Sequence, residues 1–153
     1  MNRNEIIRKY KPVRENLLLI LHELQENNPE HFISEDDMAE VADLLNIPYS
    51  SVYGVVTYYS MFSLTPRGKY IIRVCTSQVC EMSGSEDIVD ELQKVIGIKP
   101  GETTSDRLFT VESTECLGHC DESPGMIVNG KFFGNLNSVS IRNLIDNLRS
   151  GAE

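Results

Sequence analysis

The chain has 153 residues, 41% of them hydrophobic and 24% charged, which is the composition of a globular protein with one ordinary domain or two small ones. Its net charge of −9 argues against nucleic-acid binding, because neutralising phosphates requires an excess of Lys and Arg. The sequence lacks both an apolar run near the roughly 20 residues that span a bilayer and the apolar core of a secretory signal. We therefore expect a cytoplasmic protein without direct membrane insertion, in which any membrane association arises through a complex.

The first part of the chain is predicted to be helical. Residues 15–27 carry apolar side chains at helical spacing, and Pro29 follows them as a stop signal. Ser34 is a candidate N-cap for a second helix, with Asp37 as its reciprocal partner. This arrangement predicts a small helical bundle.

A third helix is predicted from Ser50 or Ser51 to about Phe62. It is unusual for a crowded group of large side chains: Tyr53, Tyr58, Tyr59, Met61 and Phe62. Core packing is the usual role of such a stripe. The alternative is a partly exposed aromatic face that contacts another subunit. The two roles are compatible if they fall on different sides of the helix.

The pattern changes after a turn at residues 65–68. Residues 69–74 predict a strand, residues 85–96 an amphipathic helix and residues 108–111 a second, short strand. A strand, a helix and a parallel strand form a crossover unit of the kind that mixed α/β sheets use.

A hairpin and a helix complete the chain. Asn129-Gly130 separates Met126–Val128 from Lys131–Phe133, which is the strongest hairpin signal in the sequence, and Ser138 opens a final helix. The order β-α-β followed by β-β-α is that of a thioredoxin-like fold. We predict an α+β protein in which an N-terminal helical bundle, residues 1–65, precedes a thioredoxin-like α/β domain, residues 66–153.

Four cysteines form the candidate site. Cys75 and Cys80 have the spacing C-x4-C, Cys116 and Cys120 have the spacing C-x3-C, and 35 residues separate the pairs. Each pair follows a predicted strand, so we expect each on a loop. If the two strands are parallel, both loops reach the same edge of the sheet.

Three uses of four thiolates compete. A structural zinc accepts such ligands, but zinc usually stabilises chains too small to form a core. Dithiol redox chemistry uses C-x-x-C, which neither spacing matches. A [2Fe–2S] cluster needs four thiolates, two on each iron, and C-x4-C also occurs in plant-type ferredoxins. The spacing favours an iron–sulfur cluster over zinc and leaves zinc open.

Other polar residues near the cysteines are predicted to be solvated. His119 adjoins Cys120 and is a potential ligand, but four cysteines already complete a site, so we expect an exposed loop residue. His22 and His31 lie in the helical part and are predicted to be structural or exposed. Solvated carboxylates are predicted at Glu81, Asp121 and Glu122. Negative charge near an iron–sulfur centre lowers its potential.

Several motifs together resemble a known family. They are the sequence VYGVVTYYSMF at residues 52–62, PRGK at 66–69 leading to the first cysteine pair, ECLGHC at 115–120 and VNG at 128–130. In this order they resemble the 24-kDa [2Fe–2S] subunit family of NADH dehydrogenase (complex I). The same family includes the small subunits of NAD-linked [FeFe]-hydrogenases and formate dehydrogenases. The resemblance covers nearly the whole chain.

The resemblance implies a multisubunit oxidoreductase and assigns ligands. Cys75, Cys80, Cys116 and Cys120 would hold one [2Fe–2S] cluster, and residues 1–65 would serve partner docking. The implied partner is a larger flavoprotein subunit that binds FMN, NAD(H) and a [4Fe–4S] cluster, alongside further Fe–S or catalytic subunits. This chain would carry single electrons and would not be catalytic alone, in keeping with its lack of a dinucleotide-binding motif.

Two alternatives accompany this interpretation. The parent complex is either NADH dehydrogenase or a soluble, electron-bifurcating NAD-dependent [FeFe]-hydrogenase or formate dehydrogenase. A zinc-stabilised interaction module is the alternative of another class. One departure from the family bears on the cluster potential: where members commonly have Ala-Pro, this chain has Ser123-Pro124, followed by Gly125.

Overall fold

The computed structural model describes residues 3–151, apart from the side chain of Asn4. The chain divides after Arg67 into two compact units, each with a hydrophobic core of its own. Among the described residues, every helix is too short or too polar to cross a bilayer.

The first unit is a bundle of helices. Its helices are α1 (Arg3–Lys9), α2 (Leu17–Asn27, after a 3-10 turn at Arg14–Asn16), α3 (Glu35–Leu45) and α4 (Tyr49–Tyr58). Each contributes fully buried apolar side chains to one core, among them Ile6, Ile20, Leu21, Val41 and Val52. Removing this apolar surface from water stabilises the bundle, and the polar faces of the helices stay solvated.

The predicted N-cap at Ser34, which begins helix α3, is confirmed. The amide of Asp37 donates to Ser34 Oγ at 3.1 Å, and the amide of Ser34 donates to Asp37 Oδ2 at 2.9 Å. Two amides that the helix leaves unpaired are thereby satisfied.

The predicted limits of α4 are wrong at both ends. The helix begins at Tyr49, one or two residues before the expected caps Ser50 and Ser51, because Pro48 (φ −59°) occupies the N-cap position. Proline has a fixed φ and no amide to satisfy, so it suits the start of a helix.

The helix also ends before Phe62, because a buried side chain pairs with the backbone that follows. Tyr59 is extended, with φ −86° and ψ 116°. Gln25 Nε2 donates to the Met61 carbonyl at 2.9 Å, and Gln25 Oε1 accepts the Ser63 amide at 2.8 Å. A buried amide side chain that pairs with both groups stabilises the non-helical path.

The aromatic segment has both of the environments that its composition predicted. Val52, Val56 and Phe62 are buried in the core of the bundle. Tyr53 and Tyr58 are 46% and 81% exposed. One side of α4 therefore packs inward, whereas the other presents tyrosine rings to solvent.

The second unit is a mixed sheet with helices. Its elements are β1 (Tyr70–Cys75), α5 (Gln78–Met82), α6 (Ser85–Ile96), β2 (Phe109–Thr114), β3 (Met126–Val128), β4 (Lys131–Phe133) and α7 (Ser138–Ser150). The strand order is β2-β1-β3-β4, with β1 and β2 parallel and the remaining pairs antiparallel. The predicted α+β class and thioredoxin-like architecture are confirmed, whereas α5 was not predicted.

The sheet and the two longer helices share a core. Buried side chains from the strands meet those of α6 and α7, including Ile72, Phe109, Met126, Leu92, Ile141 and Ile145. An ion pair joins the helices, because Arg142 Nε lies 2.5 Å from Glu91 Oε1. The core fixes the strands that carry the candidate site.

The predicted hairpin turn is confirmed and also anchors β1. Asn129 (φ 47°) and Gly130 (φ 84°) both adopt the left-handed conformation that a two-residue hairpin requires. Asn129 Oδ1 accepts the Ile71 amide at 2.8 Å, and its Nδ2 donates to the Lys69 carbonyl at 2.9 Å. The turn is therefore bonded to the start of the neighbouring strand.

A glycine at the start of the second unit gives a test of its packing. A Cβ on Gly68 would lie 2.8 Å from backbone atoms of Phe109, which cannot move independently of β2. We expect Gly68→Ala to lower the free energy of unfolding by about 1–3 kcal/mol. Gly54→Ala is the control, because that site on α4 has open space and should gain about 0.5–1 kcal/mol. Urea unfolding followed by circular dichroism measures both; equal stability of the two variants would contradict the packing argument.

Candidate metal centre

The first cysteine pair lies on regular structure, which corrects the prediction of a loop. Cys75 is the last residue of β1 and Cys80 lies within α5, and both are buried. Ser77 precedes α5 as its N-cap. A five-residue helix carries too little apolar periodicity to be recognised from sequence, so it was missed.

The second pair lies beyond β2, as predicted. Cys116 is in the loop that follows the strand, and Cys120 begins a 3-10 turn, Cys120–Glu122. Both cysteines are exposed. Between them Gly118 has φ 83°, a conformation that glycine adopts without a steric penalty and that lets the loop reverse.

The sheet brings the two pairs to one edge. Cys75 is the parallel register partner of Thr114, and the amide of Thr76 donates to the Thr114 carbonyl at 3.0 Å. The amide of Cys75 donates to the Gly125 carbonyl at 3.1 Å, just before β3. The segments before and after the second pair are thereby bonded to the end of β1. One small cavity results, with all four cysteines in its lining together with Leu117, His119, Gly125 and Phe132.

The thiols contact each other as two pairs. Cys116 Sγ and Cys120 Sγ are 3.4 Å apart, and Cys75 and Cys80 are in hydrogen-bond contact. Two sulfurs bound to one tetrahedral metal at about 2.3 Å lie about 3.8 Å apart, so the exposed pair is within a few tenths of an ångström of that spacing. Among the described residues, no three His, Cys, Asp or Glu side chains are arranged to hold a single metal ion.

Backbone amides from both loops point at the sulfurs. Amides of Ser77 and Leu117 reach Cys75, and the amide of Gly125 reaches Cys80. The amide of Gly118 donates to Cys116 Sγ at 3.4 Å. Donors of this kind stabilise thiolates, and around an iron–sulfur cluster they raise the reduction potential. The donor set is therefore suited to a cluster with four thiolate ligands.

The two buried thiols differ in acidity. Burial raises the pKa of Cys75, but hydrogen bonds with the Ser77 hydroxyl and amide, with Cys80 and with the Leu117 amide together outweigh burial, so the pKa lies below its ordinary value. For Cys80, burial dominates over the Gly125 amide and holds the pKa above the ordinary value. Hydrogen bonding therefore favours the thiolate of Cys75, whereas burial disfavours that of Cys80.

In the exposed pair, the pKa shift has a different cause. The pKa of Cys120 is raised, first by its hydrogen bond with Cys116 and by the charge of the Cys116 thiolate, and more weakly by burial and by Cys80 and Cys75. Negative charge therefore accumulates when all four thiols ionise. A bound cation removes that repulsion, which is why clustered thiolates favour metal binding.

The polar neighbours lie as predicted, with one addition. His119 is exposed, but its ring stacks on Phe132 with ring centroids 4.2 Å apart. His22 is exposed and His31 is half-buried, both in the first unit. The flanking carboxylates are all exposed, namely Glu81, Asp121 and Glu122. Nothing in the sequence indicated the stack, because the hairpin alone brings residue 132 to the site.

Comparison with known proteins identifies relatives whose names agree with one another. A family model described as thioredoxin-like [2Fe–2S] ferredoxin matches residues 3–149. The E subunit of the NADH-quinone oxidoreductase of Rickettsia typhi is 38% identical over 92% of this chain and 84% of the relative. Its counterpart from Aquifex aeolicus is 40% identical over 82% of this chain and 77% of the relative.

Solved structures agree on the fold. A crystal structure of an NAD+-reducing [NiFe]-hydrogenase in the H2-reduced state superposes with a TM-score of 0.79 at 24% identity. The match covers 91% of this chain and 23% of that chain.

These matches confirm the predicted resemblance, the single [2Fe–2S] cluster as cofactor and the predicted class, an iron–sulfur subunit of oxidoreductase complexes. Zinc, which the cysteine spacing left open, is therefore disfavoured. The chain belongs to the thioredoxin-like [2Fe–2S] ferredoxin family.

Proposed function

We propose that this chain is the one-electron carrier of an NADH-linked oxidoreductase complex and that Cys75, Cys80, Cys116 and Cys120 hold its [2Fe–2S] cluster. The observation that carries the proposal is the shared cavity, which the four thiols line as two contacting pairs. A [2Fe–2S] cluster uses two thiolates on each iron, so two pairs match its ligand requirement. When bound, the cluster accepts and releases one electron at a time.

The two cysteine pairs would hold the cluster from different structural settings. Cys75 and Cys80 are fixed in a strand and a helix, so the inner half of the site is rigid. Cys116 and Cys120 lie at the surface on a loop. The site is thus anchored on one side and accessible on the other, as an electron carrier that meets a partner requires.

The electron partner is proposed to be the FMN of a larger flavoprotein subunit, which also binds NAD(H) and a [4Fe–4S] cluster. This sequence has no dinucleotide-binding motif, so NADH must react on another subunit. The relatives are named as parts of NADH-quinone oxidoreductases, which favours a quinone-linked complex over a hydrogenase or formate dehydrogenase. We propose a cytoplasmic location, with any membrane association arising through the complex.

The first unit is proposed to dock that partner. Tyr49 and Tyr53 stack with ring centroids 6.4 Å apart on the exposed side of α4, and Tyr58 is 81% exposed on the same helix. Tyrosine is enriched at protein interfaces because its ring is large and its hydroxyl remains hydrogen-bonded.

The ligand assignment predicts loss of iron when a thiol is removed. Chain purified without oxygen should contain two irons and two sulfides and give a rhombic EPR signal on reduction. Cys75→Ala and Cys116→Ala, one from each pair, should each lower the iron content about tenfold or more, because a ligand matters at least as much as its outer partners. Iron and sulfide assays with EPR measure this.

Ser113→Ala is the control for that experiment, because it alters an exposed residue of β2 and leaves the thiols intact. A colourless wild-type protein with one zinc per chain would contradict the proposal. So would a cysteine variant that keeps a full complement of iron and an unchanged EPR signal.

The proposed roles of the two subunits predict that NADH reduces the cluster only when the flavoprotein partner is present. Dithionite should reduce the cluster in the isolated chain, whereas NADH should leave its visible absorbance unchanged, because the chain has no nucleotide site. NADH should reduce it once the flavoprotein subunit is added. Reduction of the isolated chain by NADH would show that the nucleotide site has been misplaced. Identification of the subunits that co-purify with the native chain separates a quinone-linked complex from a hydrogenase.

The position of Ser123 beside the cysteines predicts that its hydroxyl affects the reduction potential of the cluster. Its hydroxyl donates to the Cys120 carbonyl at 2.5 Å, and the same side chain acts to lower the pKa of Cys80. Ser123→Ala removes this stabilisation of negative charge on sulfur and should lower the reduction potential by up to about 40 mV, the one-electron equivalent of about 1 kcal/mol. Ser123→Thr, which keeps the hydroxyl, should retain the wild-type value. An EPR-monitored redox titration decides, and an unchanged potential in Ser123→Ala would refute a tuning role.

A further inference from the structure

The cavity of the four cysteines has an aromatic part that ligation does not explain. His119 and Phe132 both line it, and their rings stack with centroids 4.2 Å apart and planes inclined by 22°. A stacked aromatic pair attracts beyond the effect of its buried area. One ring comes from the loop that carries Cys120 and the other from β4.

Two glycines leave room for the Phe132 ring. A Cβ on Gly125 would lie 2.8 Å from Cε2 of that ring, and a Cβ on Gly134 would lie 2.9 Å from its Cε1. A side chain at Gly125 would therefore displace the ring, and one at Gly134 would crowd both the ring and Glu122, whose Cβ would lie 2.6 Å away. The ring fits between these positions because both lack a side chain.

Hydrogen bonds fix the hairpin to the turn that contains Cys120. The amide of Asn135 donates to the Glu122 carbonyl at 2.7 Å, and the amide of Leu136 donates to the Pro124 carbonyl at 3.1 Å. The segment after β4 cannot move away from the second cysteine pair without breaking both bonds. The backbone thus brings Phe132 against His119 in a reproducible position.

We infer that the His119–Phe132 stack anchors the loop of Cys116 and Cys120 and thereby slows release of the cluster. This inference rests on the proposed ligand set. His119 lies between the two exposed thiols on their loop and lines the same cavity. Both thiols stay exposed with the stack in place, so the stack acts by holding their loop in position and not by covering them. Residues that orient the ligands of a metal site raise its affinity for the metal.

The test is the rate at which excess EDTA removes iron from the purified, cluster-loaded chain under anaerobic conditions, followed by visible absorbance. His119→Ala removes one ring of the stack, and Phe132→Leu replaces the other by an apolar side chain without a π face. We expect each to accelerate bleaching about three- to tenfold. His119→Phe restores a stackable ring and should bleach at the wild-type rate.

His22→Ala is the matched control, because it removes an exposed histidine from the first unit and should leave the rate unchanged. Bleaching of His119→Ala at the wild-type rate would overturn the anchoring role of the stack. Rapid bleaching of His119→Phe would overturn it too, because the imidazole and not the stack would then matter. Failure of the ligand assignment is distinct, since the wild-type chain would then contain no cluster to bleach.

Discussion

The end of β1 is the point on which the site depends. There the Cys75 amide is bonded to the Gly125 carbonyl, and the next amide, of Thr76, is bonded to the Thr114 carbonyl. One strand terminus thus holds the chain that enters the second cysteine loop and the chain that leaves it. Because a backbone hydrogen bond fixes register as well as distance, a slip by one residue would turn Cys75 to the opposite face and dismantle the site.

Two opposing influences act on the sulfurs. Amides of Ser77, Leu117, Gly118 and Gly125 direct positive dipoles at them, which favours added negative charge. Exposed carboxylates on the same loops and a chain charge of −9 act in the other direction. The carboxylates are screened by solvent, whereas the amides are in direct contact. Local backbone geometry therefore outweighs net charge in setting the properties of the site.

The sequence predicted those features that arise from local chemistry or strong periodicity. Asn129-Gly130 specified its turn and Ser34 with Asp37 its cap, because each depends on residues within a few positions. Helix α1 was missed, since Ile6 and Ile7 are buried only by the tertiary bundle. Helix α5 was too short to show a period. The stack was beyond prediction, because it joins a loop and a strand that only the folded hairpin brings together.

The difference in burial between the two cysteine pairs gives the site a direction. Cys75 and Cys80 are enclosed by a strand and a helix, whereas Cys116 and Cys120 are open to solvent on a loop. A reagent that arrives from solution, such as an alkylating agent, therefore reaches the outer thiols first. Under the proposed ligation, chemical attack would begin at the outer pair, and the inner pair would be the last to release the cluster.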